Sequence, residues 1–406
     1  MRTNGKYALE PVILGMARTP TGSYQGALAA LRASELGTVA IKAALARAAV
    51  DPATIRECLM GIIVQAGTGQ APARQAGYNA GLPDNVGATT INKACGSGMY
   101  TVMMAANAIR LGEGAAFVAG GMESMSNGPH ILHGARKGLR YGNQTLVDTV
   151  FYDALWCTLS DAVMGTNAER IAEEYDISRA AMDEFAYESH MKAIAAIDAG
   201  KFKEEIVPVT VRGRKGRVIV VDTDEPPRRD TNIEKLAQLR PAFEEGGRVT
   251  AGNAPGLNDG AAALVVTSRA YAERMGHKPL ARIIGYTSYA VKPGHIFIAP
   301  AFAIPALLEK VGWEMSDVDL VELNEAFAAQ VLADVKEMES KGLDWDAARC
   351  NVNGGAIALG HPVGASGARL LVTLVHALKD RGLKRGVAAL CLGGGEATAM
   401  ALEIED

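Results

Sequence analysis

Cys95 stands in the run Asn92-Lys93-Ala94-Cys95-Gly96-Ser97-Gly98-Met99, where an apolar strand pattern ends and helical spacing begins. A thiol at that junction faces the free N–H groups and positive end of a helix, which favours the thiolate and lowers its pKa. Flanking Gly96 and Gly98 carry no side chain and leave room for a substrate to approach the sulfur. The competing reading is a buried cysteine acting as a small hydrophobe. His361 lies in a glycine-rich turn, Gly354 to Gly367, ahead of a helix expected over Ala368–Leu378. An imidazole there can take the proton of a thiol; the alternative is a turn histidine that caps the helix.

Cys391 follows the apolar strand Val387–Leu390 and precedes Leu392 and the glycines Gly393, Gly394 and Gly395. Taken alone it reads as core, but successive glycine N–H groups after it suit an oxyanion. Asn324 opens the run Asn324-Glu325-Ala326-Phe327 after an expected strand over Val318–Leu323. In open α/β sheets, ligands bind at that carboxyl edge of the strands; the alternative is that Asn324 caps the next helix.

Other chemistries lack their residues. There is no phosphate-binding G-x-x-x-x-G-K-[ST] run, no H-E-x-x-H zinc pair, and Ser366 is not in G-x-S-x-G. Gly96-Ser97-Gly98 has Thr101 where a dinucleotide fingerprint needs its third glycine. The chain has 406 residues and a net charge of −4, so no basic field serves a nucleic-acid backbone or a membrane surface. No run of 18 or more apolar residues occurs, and the N-terminal apolar stretch Val12–Leu14 is too short for a signal peptide. The cysteines number five, with no C-x-x-C, which disfavours a disulfide framework or structural zinc and points to a reducing cytoplasm.

These residues need elements to hold them. Val12–Met16, Leu59–Val64 and Ala115–Ala119 read as strands, with helices over Ser34–Ala49 and Ser97–Leu111 between them. From Met122 to about Arg248 the alternation lapses: helices are expected over Thr166–Tyr175 and Arg179–Ala199, then a polar stretch, Arg212–Arg229. The rhythm resumes with strands at Leu264–Thr267, Ala281–Tyr286 and Val318–Leu323. Helices are expected over Ala270–Met275, Ala301–Val311 and Glu325–Lys341. Strands alternating with helices predict a largely parallel, helix-covered sheet. Ser97-Gly98 followed by Gly120-Gly121-Met122-Glu123 is echoed by Ser366-Gly367 followed by Gly393-Gly394-Gly395-Glu396. The economical interpretation is one supersecondary unit used twice, with an insertion in the first copy.

Together these segments resemble the thiolases, the acyl-CoA C-acyltransferases, over essentially the whole chain. The runs that carry the resemblance are Asn92–Met99, Asn324–Ala328, Gly354–Gly367 and Cys391–Gly395, supported by Ala17–Pro20, Gly120–Ser126, Val249–Ala254 and Asn258–Ala262. It implies an α/β fold with a duplicated five-layer αβαβα core and an inserted loop domain. The expected partition is 1–121 completed by 258–277, an insertion over 122–257, and a second half over 278–406. It implies that Cys95 is acylated, that His361 activates it, that a water on Asn324 assists, and that Cys391 is the acid/base. Backbone N–H groups of Cys95 and Gly393 form an oxyanion hole in that scheme. Arg228, Ala251, Met164, Leu257, Ala326, Phe327 and Phe297 are the implied CoA and acyl contacts. CoA and acyl-CoA are substrates and no metal or redox cofactor is required; the assembly implied is a homodimer or dimer of dimers.

Several positions depart from the family pattern. Pro255 stands where a serine usually contacts the pantetheine arm, and Lys235 replaces a small polar residue near the nucleotide. Val163 takes the place of a common histidine, and Ile296-Phe297-Ile298-Ala299-Pro300 replaces a Met-Gly-x-Gly-Pro loop at the acyl pocket. A decarboxylating or carrier-protein-dependent condensing enzyme pairs its cysteine with two histidines, and Asn324 and Cys391 hold those places here. A catalytically silent CoA- or acyl-binding protein is the other alternative, allowed by the lost serine at Pro255 and opposed by the intact catalytic positions.

Overall fold

The strand Pro11–Arg18 (β1) is buried along its whole length, and its alternate residues face two different cores. Val12 and Leu14 pack outward under a helix, while Ile13 and Met16 pack inward. A register shift between Ile13 and Gly15 restores the inward face at Met16. A strand buried on both sides lies inside a layered stack. The computed structural model describes residues 7–213 and 216–405.

The first set of strands continues with β2 (Glu57–Gly61), β3 (Gly87–Ile91), β4 (Ala116–Ser124) and β5 (Asn258–Ser268), in the spatial order β3-β2-β4-β5-β1. The second set is β6 (Ala281–Ala290), β7 (Leu320–Leu323), β8 (Arg385–Leu392) and β9 (Glu396–Ile404), in the order β7-β8-β9-β6. A parallel bridge from Val321 to Cys350 adds the missing outer position beside β7. Each half therefore places its third, second, fourth, fifth and first segments side by side. The halves join where β1 and β6 pair at Val12–Arg282 and Ile13–Ala281.

Helices α1 (Ala33–Ala48), α2 (Ser97–Arg110), α3 (Met164–Glu174), α4 (Arg179–Asp198), α5 (Pro300–Val311), α6 (Ala328–Ser340) and α7 (Val363–Arg381) complete the layers. Helices α2 and α7 lie between the two sets of strands, touching each other and both sheets. Their shared core includes Met99, Leu264, Leu370, Leu390 and Met400. Helix α1 covers the outer face of the first sheet, and α5 covers that of the second. The result is the five-layer αβαβα order with a repeated half.

The structure corrects several expectations. The sheet is mixed and not largely parallel: β1–β5, β1–β6, β4–β5, β6–β9 and β8–β9 pair antiparallel, while β2–β3, β2–β4 and β7–β8 pair parallel, because not every connection is a helical crossover. Helix α6 begins at Ala328, not Glu325, because Glu325 is tied elsewhere: its carboxylate accepts from Ser189 Oγ at 2.7 Å, Asn351 Nδ2 at 2.8 Å and Ile357 N at 3.1 Å. Helix α7 starts at Val363, five residues before the expected Ala368, and runs through Gly364 and Gly367. Glycine is normally costly in a helix, but a Cβ on Gly367 would sit 2.6 Å from Met99 N, and one on Gly98 would sit 2.8 Å from Ala368 N. The two glycines let α2 and α7 cross backbone to backbone. The polar stretch after Arg212 contains a strand, Val218–Val221, paired with Val209–Arg212 as a hairpin. Its Val218, Ile219 and Val220 are exposed, so no buried face marked it in the sequence.

Candidate active site

Cys95 occupies the turn from β3 into α2 and is partly buried. The turn is fixed from within. Ser97 Oγ accepts from Lys93 N at 2.8 Å and donates to Ala94 O at 2.7 Å, while Asn92 Oδ1 accepts from Ala94 N at 3.1 Å. These bonds hold Ala94 at φ 44°, a left-handed conformation that a non-glycine residue adopts only under constraint. Gly96 serves close packing here, not access: a Cβ on it would lie 2.4 Å from Leu392 Cδ2. The space that the two glycines leave is filled by Leu392 of β8, Thr398 of β9 and the backbone of α7.

His361 sits just before α7, with Pro362 at the helix cap position. Its backbone N–H donates to Asn258 Oδ1 at 2.8 Å, which places the ring. Nδ1 lies 2.6 Å from Ser366 Oγ, and that hydroxyl donates to Pro362 O at 3.0 Å. Because the serine proton is committed to the carbonyl, Nδ1 carries the imidazole proton and Nε2 is left as a bare acceptor. Nε2 is buried and has no protein partner. Burial, reinforced by the charge of Arg369, pushes the imidazole pKa down to about 3. The ring is therefore neutral at physiological pH, in the form that takes a proton. Lowering the pH from about 7.5 to about 5.5 is expected to slow single-turnover acylation by acetyl-CoA less than about twofold, since the base form persists far below that range. Glu123, raised by burial to about 7, titrates in the same window, so a fall of ordinary histidine shape that persists in Glu123→Gln would show that Nε2 is not so protected.

Cys391 is buried in the penultimate position of β8, two residues before Gly393. Burial drives its thiol well above the ordinary value, and the charge of Cys95 adds to the effect. Burial also pushes Cys95 up to about 11, against the N–H groups of Gly393 and Cys95 itself, which favour the thiolate. The thiol is thus raised and not lowered as the helix end predicted: desolvation exceeds the hydrogen bonds that favour the thiolate. Both sulfurs rest as thiols, and Cys95 needs a base to become a nucleophile.

These groups meet. Cys95, His361, Cys391 and Gly393 line one cavity of about 150 Å³, together with Met164, Leu257, Ala326, Phe327 and Phe297. Pro255 and Val163 line it as well. The Phe297 and Phe327 rings stand edge to face with centroids 5.2 Å apart, and Phe243 joins Phe327 at 6.3 Å. Phe243 escaped the sequence reading because it lies in an aperiodic polar stretch; the scarcity of phenylalanine, eight in the chain, was the available signal. Ala154 and Leu155 also line the cavity without having been singled out.

Asn324 lies at the end of β7, fully buried, with its backbone N–H on Ala389 O at 2.9 Å. Both polar atoms of its side chain lack a protein partner, and Phe327, not Asn324, holds the cap position of α6. Arg228 and Ala251 are exposed and do not line the cavity; the Arg228 backbone N–H donates to His190 Nδ1 at 3.2 Å. Lys235 is also remote from it and pairs with Asp230 at 3.1 Å.

The family description "Thiolase, N-terminal domain" matches residues 11–270, and "Thiolase, C-terminal domain" matches residues 277–404. The chain belongs to the thiolase family. It is 51% identical over 392 residues to an acetyl-CoA acetyltransferase of Cupriavidus necator, covering 97% of this chain and 98% of that one. It is 50% identical over 391 residues to another of Pseudomonas aeruginosa, covering 96% and 98%. The solved acetyl-CoA acetyltransferase of Syntrophomonas wolfei superposes with a TM-score of 0.95 at 43% identity, covering 98% of this chain and 99% of that one. That of Bacillus anthracis gives the same score and identity, covering 98% and 100%. This thiolase is accordingly an acyltransferase. No helix among its described residues is long and apolar enough to cross a membrane.

Proposed function

We propose that this thiolase interconverts a short-chain 3-oxoacyl-CoA plus CoA with an acyl-CoA plus acetyl-CoA, acetoacetyl-CoA being the foremost substrate. The observation that carries this is the convergence of two thiols and an Nε2-unprotonated imidazole on one apolar cavity. The names of the close relatives support the same chemistry.

In the cleavage direction, His361 Nε2 takes the proton of Cys95, and the thiolate adds to the 3-oxo carbonyl carbon. The bond between C2 and C3 breaks, leaving an acyl-Cys95 thioester and the enolate of acetyl-CoA. Cys391 protonates that enolate and is left as a thiolate. It then takes the proton of incoming CoA, whose sulfur attacks the thioester and releases acyl-CoA. The Cys95 thiolate recovers its proton from the His361 imidazolium. N–H groups of Cys95 and Gly393 stabilise one oxyanion; His361 and a water on the unpartnered Asn324 amide stabilise the other. Arg228 and Ala251 are proposed to meet the CoA moiety at the surface outside the cavity.

CoA enters this scheme as a substrate, and no metal or redox cofactor takes part. We propose the division into 1–121 with 258–277, an insertion over 122–257, and 278–406. A homodimer or dimer of dimers in the cytoplasm completes the proposal; the cysteines, all free, suit that compartment. Thiolysis of acetoacetyl-CoA, followed spectrophotometrically, tests the reaction. Absence of turnover with several 3-oxoacyl-CoAs would favour a binding protein.

Phe297 sets the chain-length limit in this scheme, since its ring occupies cavity wall against Phe327. Phe297→Gly is expected to raise the kcat/KM ratio of 3-oxohexanoyl-CoA to acetoacetyl-CoA by about tenfold, each admitted methylene being worth a factor of several. An unchanged ratio in this variant would remove Phe297 from the acyl pocket.

A further inference from the structure

Two residues outside the proposed mechanism join the loops that carry it. Lys93 lies two positions before Cys95, and its ammonium makes an ion pair with the Glu396 carboxylate. Glu396 is the first residue of β9 and pairs in register with Leu392, so it closes the hairpin whose tip is Gly393-Gly394-Gly395. Otherwise the nucleophile turn and this hairpin meet through packing alone: a Cβ on Gly96 would lie 2.4 Å from Leu392 Cδ2, and one on Gly393 would lie 3.3 Å from the Ala94 Cβ. Packing of this kind limits how closely the two approach, whereas a directional ion pair also opposes their sliding.

Both ends of the link are stiff. The Lys93 backbone is anchored to Ser97 Oγ, and its ammonium also stands 5.6 Å from the Tyr100 ring centroid. On the other side, Gly395 O accepts from Val291 N at 2.7 Å, and a Cβ on Gly395 would fall 2.8 Å from Pro293 Cα. The side chains of Lys93 and Glu396 are 26% and 35% exposed. An ion pair that open to solvent adds little to global stability, so its effect on local geometry is separable from folding.

We propose that Lys93 and Glu396 are a positioning pair that fixes the Cys95 turn against the Leu392–Glu396 hairpin and so holds the Gly393 N–H on the Cys95 sulfur. Neither residue touches the reacting atoms. The proposal rests on the roles given above to Cys95 and Gly393. Glu123, His361 and Cys391 are the other titratable groups around the sulfur, and none of them is altered by the substitutions below.

The test compares the wild type with Glu396→Gln, Lys93→Met, the double variant, and the exchanged pair Lys93→Glu with Glu396→Lys. Three quantities are read: thiolysis kinetics with acetoacetyl-CoA, the pH profile of Cys95 alkylation by iodoacetamide, and the melting temperature. Each single variant is expected to lose about tenfold in kcat with KM for CoA nearly unchanged, as small misplacements of preorganised groups do. The alkylation profile moves to higher pH, because the thiolate loses an N–H donor. The double variant is no worse than either single one, and the exchanged pair recovers part of the rate. Wild-type kcat in the single variants, or a lower kcat with an unmoved alkylation profile, overturns the proposal, whatever the melting temperature does. If Glu396→Gln does not fold, Lys93→Met decides alone. Inactive wild type would instead refute the thiolysis reaction itself.

Discussion

Cys95→Ala is expected to reduce thiolysis of acetoacetyl-CoA by at least about a thousandfold, because the covalent route disappears with its nucleophile. The wild type should lose activity in step with alkylation of Cys95 by iodoacetamide, and acetoacetyl-CoA should protect it. Burial leaves Cys58, pushed up to about 12, and Cys350, pushed up still further, as unreactive thiols, whereas at Cys157 burial is outweighed by hydrogen bonds from Ser160, Leu159 and Gly394, which lower the thiol, so its alkylation is followed separately. Peptide mapping after partial alkylation checks the site. An active enzyme with Cys95 fully alkylated would remove it from the mechanism.

Cys391→Ser is the second large effect, and it separates two steps. The variant is expected to form acetyl-Cys95 from acetyl-CoA at close to the normal rate, detected as a mass increase on the intact protein. Condensation to acetoacetyl-CoA should fall by about a hundred- to ten-thousandfold, the range general acid/base groups supply. A serine hydroxyl keeps the small buried shape at this site but is a far weaker acid than a thiol. Condensation at the wild-type rate would exclude Cys391 from proton transfer. Loss of acylation together with condensation would place Cys391 earlier in the sequence of steps.

Much of the site was legible because its chemistry is concentrated in short runs at strand ends. Cys95, His361 and the run Cys391–Gly393 are far apart in the chain, yet each lies within two residues of a glycine at a junction between elements, and the fold brings them to one cavity. Strand cores at Val12–Met16 and Val387–Leu390 were equally readable, since burial on both faces leaves uninterrupted apolar runs. What failed did so for tertiary reasons. Glu325 is drawn out of helix α6 by Ser189, Asn351 and Ile357, partners 136, 26 and 32 residues away. Glycines 364 and 367 argued against helix, but Gly367 packs on α2 and a Cβ on Gly364 would lie 2.9 Å from Ile62 Cα. Local sequence carries the cost of glycine and not the contact that offsets it. The same blindness misassigned Gly96 to substrate access and gave Cys95 a lowered pKa, because the depth of burial is a property of the whole stack.

The backbone crossing of α2 and α7 bears on how such an active site could arise and fail. The nucleophile follows the third strand of the first half, and the base follows the equivalent segment of the second. The first half thus contributes the nucleophile and the second its base, and the glycine-lined seam between them sets the gap across which that proton must pass. Neither half offers selection anything to act on without the other. The doubled fold has a reason to stay whole: turnover itself reads out whether its two copies are correctly joined.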